Sequence, residues 1–223
     1  MDAILPAAGL AKRMRGIPKF LLPADKEYNT LLEIHLSNLA AICNNIYLPT
    51  RPELVPIIKS LDFNQENLII TEMVTTTMCE TVLKTVDLSE SESFLLIMPD
   101  TFFVGQKPYN QLDSNTDFCN LACWEIRDSQ RGKLGEVKIN QENSVVDMVD
   151  KKPDNGYKYS WGALTFNKKL VKYINADEPH IGYAVKNGID AGEKVFASVV
   201  DGKYYDCGTP SEYVELLEET LLK

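Results

Sequence analysis

Four short apolar runs, separated by three segments of helical spacing, occupy the first hundred residues of this chain. Uninterrupted apolar runs of this length are typical of strands that are buried on both faces of a sheet. Their alternation with helices predicts a parallel sheet with helices on both of its faces. Ligands of such sheets bind beyond the carboxyl ends of the strands, and both Gly9 and Asp100 follow strands there.

The predicted elements extend this pattern over the whole chain. In the first half we expect strands at 3–8, 45–48, 68–71 and 93–98, and helices at 30–42, 52–61 and 78–86. Thr30 and Glu33 form a predicted capping box at the first helix. The second half is richer in strands, expected at 118–125, 136–139, 145–149, 160–166 and 195–200, with helices at about 181–191 and 209–222. The fold class is therefore α/β, with a Rossmann-like, mixed, mostly parallel sheet in one domain spanning 1–223.

Charge and composition exclude several classes of function. The 223 residues carry a net charge of −9, whereas nucleic-acid binding relies on clustered Lys and Arg. No apolar run reaches the roughly 18 residues of a membrane span, and the N-terminus has no basic leader. We therefore expect no nucleic-acid partner and no membrane. Five cysteines without a CxxC pair indicate reduced, mostly buried thiols in a cytoplasmic protein.

A cationic loop with small residues follows the first strand, within residues 5–23 (LPAAGLAKRMRGIPKFLLP). The small residues are Ala7, Ala8 and Gly9. They let the backbone approach a ligand, so that exposed N–H groups can hold phosphate oxygens. The cations of the loop are Lys12, Arg13, Arg15 and Lys19. Four cations, considered without their position, are typical of a loop that only faces solvent. Their position after the first strand favours phosphate binding. A P-loop and a dinucleotide fingerprint are both absent.

This loop resembles the signature of the sugar-1-phosphate nucleotidylyltransferases, also called nucleotide-sugar pyrophosphorylases. That signature has a Gly, then an Arg, then Pro-Lys ahead of Leu-Pro. Five further motifs similar to those of the family follow in the family's order. They are MPDTFF, GEVKI, VDKKPD, YSWGALTF and YYDCGTPSEY. The resemblance therefore covers residues 5–213, nearly the whole chain.

The resemblance implies a Mg²⁺-dependent transferase on a glycosyltransferase-A-like nucleotidyltransferase fold. Its partners would be a nucleoside triphosphate and a phosphorylated sugar, and a homo-oligomer is left open. The implied catalytic residues are Arg13 and Lys19, and the implied metal ligands are Asp100 and Asp206. The implied nucleotide-binding residues are Ala7, Ala8, Gly9, Glu72 and Thr77. The implied sugar-phosphate-binding residues are Gly135, Lys152 and Gly162. Two carboxylates with substrate phosphates are a ligand set that suits Mg²⁺.

The chain departs from the family pattern in ways that bear on the acceptor. Ala11 and Lys12 stand where the family usually has Gly and then Thr or Ser, and Lys151 replaces the Glu of a Glu-Lys-Pro motif. Only five residues separate Arg13 from Lys19, a spacing similar to that of cytidylyltransferases for methylerythritol phosphate. A cytidylyltransferase acting on a polyol or choline phosphate therefore stays open as an alternative. So does a non-catalytic nucleotide-sugar-binding protein.

The base-reading segment is expected at 72–77. Glu72 stands roughly where thymidylyl and uridylyl enzymes of the family have Gln. Because a carboxylate only accepts hydrogen bonds, it suits the N–H edge of guanine or the amino group of cytosine. We therefore expect GTP or CTP rather than UTP or dTTP. We expect no appended left-handed β-helix domain, because one closing helix ends the sequence.

Overall fold

The computed structural model describes residues 1–61, 63–153 and 155–222. The α-helices of this part are α1 (Leu31–Leu39), α2 (Val55–Ser60), α3 (Met78–Val86), α4 (Gly182–Asp190) and α5 (Pro210–Thr220). The strands are β1 (Asp2–Ile4), β2 (Ile46–Thr50), β3 (Leu68–Glu72), β4 (Ser93–Ile97), β5 (Thr101–Gly105), β6 (Cys119–Glu125), β7 (Gly135–Ile139), β8 (Val145–Asp150), β9 (Tyr159–Asn167), β10 (Val195–Val199) and β11 (Gly202–Asp206). The 3₁₀ helices are Lys12–Met14, Lys19–Leu21, Pro52–Leu54, Pro108–Asn110, Asp128–Gln130 and Lys168–Tyr173.

The main sheet places seven strands side by side in the order β10-β6-β9-β4-β1-β2-β3. Strands β4, β1, β2 and β3 are parallel to one another, and β6 is parallel to β10. Strand β9 runs in the opposite direction between β4 and β6. The hairpin of β7 and β8 joins the sheet through β9. The predicted α/β fold with a mixed, mostly parallel sheet is therefore confirmed.

Alternate residues of each central strand enter different halves of the core. Leu95 and Ile97 of β4 pack in a cluster that also holds Leu32 of α1 and Ile58 of α2. Phe94 of the same strand packs on the other face, with residues of α3 and α4. This two-residue period is the ordinary geometry of a strand. Helices therefore cover both faces of the sheet, as the continuous apolar runs predict.

Side-chain caps fix where several helices begin. The predicted capping box is present at α1, where Glu33 N donates to Thr30 Oγ1 at 3.2 Å and Thr30 N donates to Glu33 Oε2 at 2.7 Å. The hydroxyl of Thr77 accepts from Glu80 N at 3.0 Å at the start of α3. These bonds satisfy backbone donors that have no partner inside the helix.

The boundaries differ from the predicted ones where the backbone is constrained. The strand expected at 3–8 ends at Ile4 and continues only as a single bridge between Ala7 and Thr50. The helix expected at 52–61 is divided into a 3₁₀ turn and α2. Pro56 lies in the first turn of α2, and a proline cannot donate the backbone hydrogen bond that a continuous helix needs there. The helix therefore restarts at Val55.

The sequence patterns missed one structural unit, the two-stranded antiparallel sheet of β5 and β11. Its register pairs Thr101 with Asp206, and Cys207 N donates to Asp100 O at 2.9 Å. The two strands are about a hundred positions apart in the chain and are short. Neither has a long apolar run by which a strand is recognised. This unit brings Asp206 beside Asp100.

All five cysteines are buried and unpaired, as expected. Among the helices of residues 1–61, 63–153 and 155–222, none combines the length and the apolar character that a membrane crossing requires.

Candidate active site

The topology explains why the cationic loop and Asp100 meet. Strands β1 and β4 are parallel neighbours, so their carboxyl ends lie at the same edge of the sheet. The loop follows β1, and Asp100 follows β4. As a result, the ammonium of Lys19 is hydrogen-bonded to the carboxylate of Asp100. The two side chains are only partly exposed, which strengthens their attraction over that of a surface pair.

The loop itself is a tight turn that carries two residues in a left-handed conformation. Ala11 has φ 46° and Arg15 has φ 54°. Met14 N and Gly16 N both donate to Ala11 O, at 2.9 and 3.1 Å. A left-handed alanine costs roughly 1–2 kcal/mol because its Cβ crowds a backbone oxygen. Ala11 therefore adopts a conformation that favours glycine, the residue that the family pattern would have at this position.

Asp206 is the second carboxylate of this region, at the end of β11. Loss of solvation, followed by the negative charges of Asp100 and Glu212, raises the pKa of Asp206 to about 7. Lys19 and Arg13 act in the opposite direction on this pKa. Burial is thus the main cause, and repulsion from the neighbouring carboxylates adds to it. A cation between Asp206 and Asp100 would relieve that repulsion.

This pair of carboxylates fits the Mg²⁺ that the resemblance implies. Mg²⁺ prefers oxygen ligands and is commonly held by one or two carboxylates together with substrate phosphates. The ammonium of Lys19 already balances Asp100, so a positive group is accommodated there. Within the described chain, no cluster of three or more His, Cys, Asp or Glu side chains could hold a metal by itself. A Mg²⁺ ion held by these two carboxylates would therefore take its other ligands from substrate phosphates and water.

The loop and the carboxylates line two adjoining compartments of one cleft. The loop compartment has a volume of about 280 Å³. Its lining includes Ala7, Gly9, Lys12, Arg13, Lys19 and Asp100. The carboxylate compartment has a volume of about 200 Å³ and shares Arg13, Lys19 and Asp100 with the first. Ala8 is buried beside the cleft and is not part of its lining.

Two of the three predicted sugar-phosphate residues, Gly135 and Gly162, lie in the carboxylate compartment. A Cβ added at Gly162 would overlap the ring of Tyr204, and one added at Gly135 would overlap Trp161. Both positions therefore require glycine for packing. Lys152 instead lines a neighbouring outer cavity of about 390 Å³. The last residue of its motif, Asp154, lies outside the described residues.

The two predicted base-reading residues do not line the cleft. Glu72 is the exposed last residue of β3. Thr77 caps α3, and its hydroxyl also donates to Ala176 O. The neighbouring Met78 does line the loop compartment, so the segment borders the cleft. The role of Glu72 in base choice stays a prediction.

A buried histidine supports the segment that carries Asp100. His35 Nε2 lies 2.9 Å from Thr101 O, and His35 Nδ1 lies 2.9 Å from Tyr109 Oη. Burial lowers the pKa of His35 to about 4, although the bond to Thr101 opposes this. The ring is neutral near pH 7, and because a carbonyl only accepts, Nε2 carries the proton and Nδ1 accepts from Tyr109. These hydrogen bonds hold Thr101, the first residue of β5, in place.

The family model described as "Nucleotidyl transferase" matches residues 3–222. The chain belongs to the nucleotidyl transferase family. This confirms the family membership expected from the resemblance of the motifs. No curated protein sequence matches the chain.

Solved structures with the same fold include a UDP-glucose pyrophosphorylase complexed with UDP-glucose. It has a TM-score of 0.78 and 19% sequence identity, over 98% of this chain and 97% of that one. A UTP-bound UGPase from Acinetobacter baumannii has a TM-score of 0.77 and 17% identity, over 98% of this chain and 92% of that one. An apo-UDP-glucose pyrophosphorylase has a TM-score of 0.80 and 17% identity, over 98% and 97%. At these identities the likeness shows the fold.

The structure adds cleft residues of this nucleotidyl transferase to which the resemblance assigned no role, although three of them lie within its motifs. They are Lys133, Lys151, Trp161, His180 and Tyr204, all of which line the carboxylate compartment. Lys151 could have been found as the unusual residue of its motif. His180 carries no sequence signal, because it precedes α4 and reaches the cleft only through the packing of α4 against β8. Three of these five residues carry a titratable nitrogen.

Proposed function

We propose that this chain couples a nucleoside triphosphate to a sugar 1-phosphate and releases pyrophosphate. The observation that carries the proposal is the cleft in which the cationic loop after β1 meets the carboxylates of Asp100 and Asp206. Family membership supports nucleotidyl transfer. The neighbours described as UDP-glucose pyrophosphorylases support a sugar phosphate as the acceptor.

In the proposed reaction, an oxygen of the acceptor phosphate attacks the α-phosphorus of the triphosphate. A new P–O bond forms while the bond from the α-phosphorus to the bridging oxygen of the β-phosphate breaks. Pyrophosphate leaves with that electron pair. The protein forms no covalent intermediate, so its contribution is to position the reactants and to neutralise charge.

The charged residues of the cleft have separate proposed roles. Arg13 and Lys19 neutralise the triphosphate and the charge that grows on the leaving pyrophosphate. Backbone N–H groups near Ala7 and Gly9 hold phosphate oxygens. Gly208 leaves room for this arrangement, because a Cβ added there would lie 3.1 Å from Arg13 Nη2.

We propose that Asp100 and Asp206 hold Mg²⁺ together with the substrate phosphates. When bound, the cation would neutralise phosphate charge and polarise the reacting phosphorus. The pKa of Asp206, raised first by burial and then by the charges of Asp100 and Glu212, supports this role, since a bound cation would offset the repulsion between the carboxylates. Lys19 supplies the positive charge beside Asp100 in the free protein.

The test is a matrix of nucleotides and acceptors with pyrophosphate release as the readout. UTP, dTTP, CTP, GTP and ATP are each combined with a set of sugar 1-phosphates and with choline phosphate and a polyol phosphate. UTP is included because neighbours bind UTP or UDP-glucose, whereas the carboxylate of Glu72 favours GTP or CTP. The product of each active pair is identified by mass spectrometry. Reactions without acceptor and with EDTA are the controls.

Each outcome of the matrix separates two hypotheses. Pyrophosphate release with a sugar 1-phosphate supports the proposal. Activity confined to CTP with choline phosphate or a polyol phosphate would replace it by the cytidylyltransferase alternative. No release with any pair, while nucleotide-sugars bind in calorimetry, would support a binding protein on this fold. Strong preference for UTP or dTTP would overturn the role of Glu72.

We further propose that residues 1–223 act as one catalytic domain in the cytoplasm. Five buried, unpaired thiols support a reducing compartment, where free cysteines persist. Light scattering on the purified protein measures whether it is a monomer or a homo-oligomer. Localisation of a tagged full-length chain tests the compartment.

A further inference from the structure

Lys151, His180 and Asp150 form a charged cluster on the wall of the carboxylate compartment. Lys151 Nζ lies 2.9 Å from His180 Nε2. Asp150 Oδ2 lies 3.7 Å from His180 Nε2 and 4.0 Å from Lys151 Nζ. Asp150 ends β8, whereas His180 precedes α4. The cluster is therefore assembled from two distant parts of the chain.

The contact between Lys151 and His180 leaves most of the ammonium free for a ligand. Burial, followed by the positive charge of Lys151, lowers the pKa of His180, so the ring is neutral near pH 7. A neutral imidazole nitrogen accepts one hydrogen bond, and an ammonium has three donors. At 4.0 Å from Lys151 Nζ, the carboxylate of Asp150 is beyond hydrogen-bond distance. Two N–H donors of Lys151 thus remain for a partner in the compartment.

The adjacent Lys152 enters a different cavity. Lys152 lines the outer cavity together with Tyr183 and Lys186, whereas Lys151 lines the compartment of Arg13, Asp100 and Asp206. The backbone explains this divergence. Lys151 has φ 49°, a left-handed conformation, and the chain bends at this residue. Its N–H donates to Leu134 O at 3.1 Å, which holds the turn against the compartment wall.

The charge of the compartment favours an anionic group near Lys151. The chain as a whole carries −9, but along this compartment the four cations Arg13, Lys19, Lys133 and Lys151 outnumber the three carboxylates Asp100, Asp150 and Asp206. An acceptor phosphate must reach the α-phosphorus near Arg13. Lys151 shares that compartment and Lys152 does not, and a Lys–phosphate hydrogen bond is among the stronger kinds in proteins.

We propose that Lys151, oriented by His180, binds the phosphate group of the acceptor, and that Lys152 takes no part in this contact. This inference rests on the proposed function, because it assumes a phosphorylated acceptor. His180 is a positioning residue that accepts a hydrogen bond from Lys151. Asp150 offsets part of the local positive charge without pairing closely with either group.

The test compares matched Lys→Met variants at the two neighbouring positions. Lys151→Met keeps the length of the side chain and the same non-glycine backbone preference but removes the charge. We expect it to raise the KM for the best acceptor by about tenfold or more, the effect of losing one charge-assisted hydrogen bond. The KM for the triphosphate should stay within about twofold of wild type. Lys151→Arg should recover most of the affinity.

Lys152→Met tests the competing assignment, in which Lys152 binds the acceptor phosphate. Lys138→Met, at an exposed position of β7, is the control. The inference is overturned if Lys152→Met raises the acceptor KM more than Lys151→Met does. It is equally overturned if Lys151→Met leaves the acceptor KM unchanged.

A second pair of variants tests the positioning role of His180. His180→Gln keeps an acceptor atom near the Nε2 position, whereas His180→Phe removes it. We expect His180→Phe to raise the acceptor KM severalfold with little change in kcat at saturating acceptor, and His180→Gln to rescue that KM. Equal losses of kcat and of thermal stability in both variants would show a merely structural histidine and overturn this part.

A binding measurement separates failure of this inference from failure of the proposed function. Calorimetric titration with α-D-glucose 1-phosphate, and with glucose as the uncharged comparison, needs no turnover. Wild-type binding of glucose 1-phosphate that Lys151→Met weakens supports the inference even if no pyrophosphate is released. Turnover by wild type with equal affinity in Lys151→Met overturns the inference and leaves the proposed function standing. Absence of any wild-type binding counts against both.

Discussion

The ammonium of Lys19 is bonded to the carboxylate of Asp100 across 81 positions of the chain. The contact exists because the strands that precede the two residues, β1 and β4, are parallel neighbours. The topology thereby joins the loop proposed to hold phosphates to the carboxylate proposed to hold a metal. Asp206 stands beside this pair through the antiparallel pairing of β5 and β11.

Removing either carboxylate should abolish most turnover without unfolding the protein. We expect Asp100→Asn and Asp206→Asn each to lower kcat by about a hundredfold or more, since each removes a charge that organises the phosphates. Pyrophosphate release measures the loss, and circular dichroism checks the fold. Asp201→Asn, at an exposed position next to β11, is the control. Wild-type turnover in either variant would remove that residue from the proposed metal site.

The raised pKa of Asp206 predicts that the protein without metal loses stability as the pH rises. The folded-state pKa is about 7, above the ordinary value of 3.8. The folded protein therefore keeps a proton that the unfolded chain has released. This contribution is fully present below the ordinary pKa and is lost as the pH rises through 7.

Tm measured from pH 4 to 8 checks this slope in wild type and in Asp206→Asn. His35, whose pKa is lowered from 6.5 to about 4, has the opposite sign, because its contribution is lost as the pH falls through 4. Since His35 is present in both proteins, the difference between them isolates Asp206. The wild-type Tm should fall relative to that of the variant as the pH rises, and Mg²⁺ should restore it. Parallel curves would contradict the raised pKa.

Ala11→Gly should stabilise the loop. The φ of 46° at Ala11 is free of steric cost only for glycine, so the substitution removes roughly 1–2 kcal/mol of strain. Greater freedom of the unfolded chain offsets part of this, leaving a net gain of a few tenths to about 1 kcal/mol. Urea unfolding measures the free energy. Ala40→Gly, at a right-handed helix end, is the matched control and should destabilise; a loss at both positions would refute the account of strain.

Gly162→Ala should destabilise the protein because its Cβ would overlap Tyr204. Tyr204 cannot move away easily, since its ring is stacked with Phe103 and Trp124. Overpacking of this kind costs about 1–3 kcal/mol. The free energy of unfolding is the readout. Gly9→Ala has open space around the added methyl group and should cost much less; similar losses at both positions would argue against the clash.

Tyr109→Phe should destabilise β5, the strand that directly follows Asp100. His35 Nε2 must keep its proton to donate to Thr101 O, so the ring cannot change tautomer. Nδ1 therefore has no donor when the hydroxyl of Tyr109 is lost. A buried acceptor without a donor costs about 1–3 kcal/mol. Chemical denaturation measures this loss. Tyr28→Phe, whose side chain is exposed, provides the comparison and should have no effect. An unchanged free energy in Tyr109→Phe would mean that the network does not support β5.

Local patterns were sufficient where one segment carries its own signal. The helix predicted at 78–86 is α3 with the same ends, and the capping box of α1 follows from two residues three positions apart. Apolar runs located the central strands, because these strands are buried on both faces. The short strands β5 and β11 were missed, because each is defined by its partner rather than by its own composition.

The sequence by itself determined the α/β class, the cationic loop after β1 and the position of Asp100 at the end of the strand run, because these depend on nearest neighbours and on periodicity. Only the tertiary structure decided that Asp206 lies against Asp100 and that Lys151 enters the cleft while Lys152 leaves it. The first depends on a pairing between distant strands. The second depends on one left-handed residue held by Leu134. Such choices arise from packing, which a linear pattern does not encode.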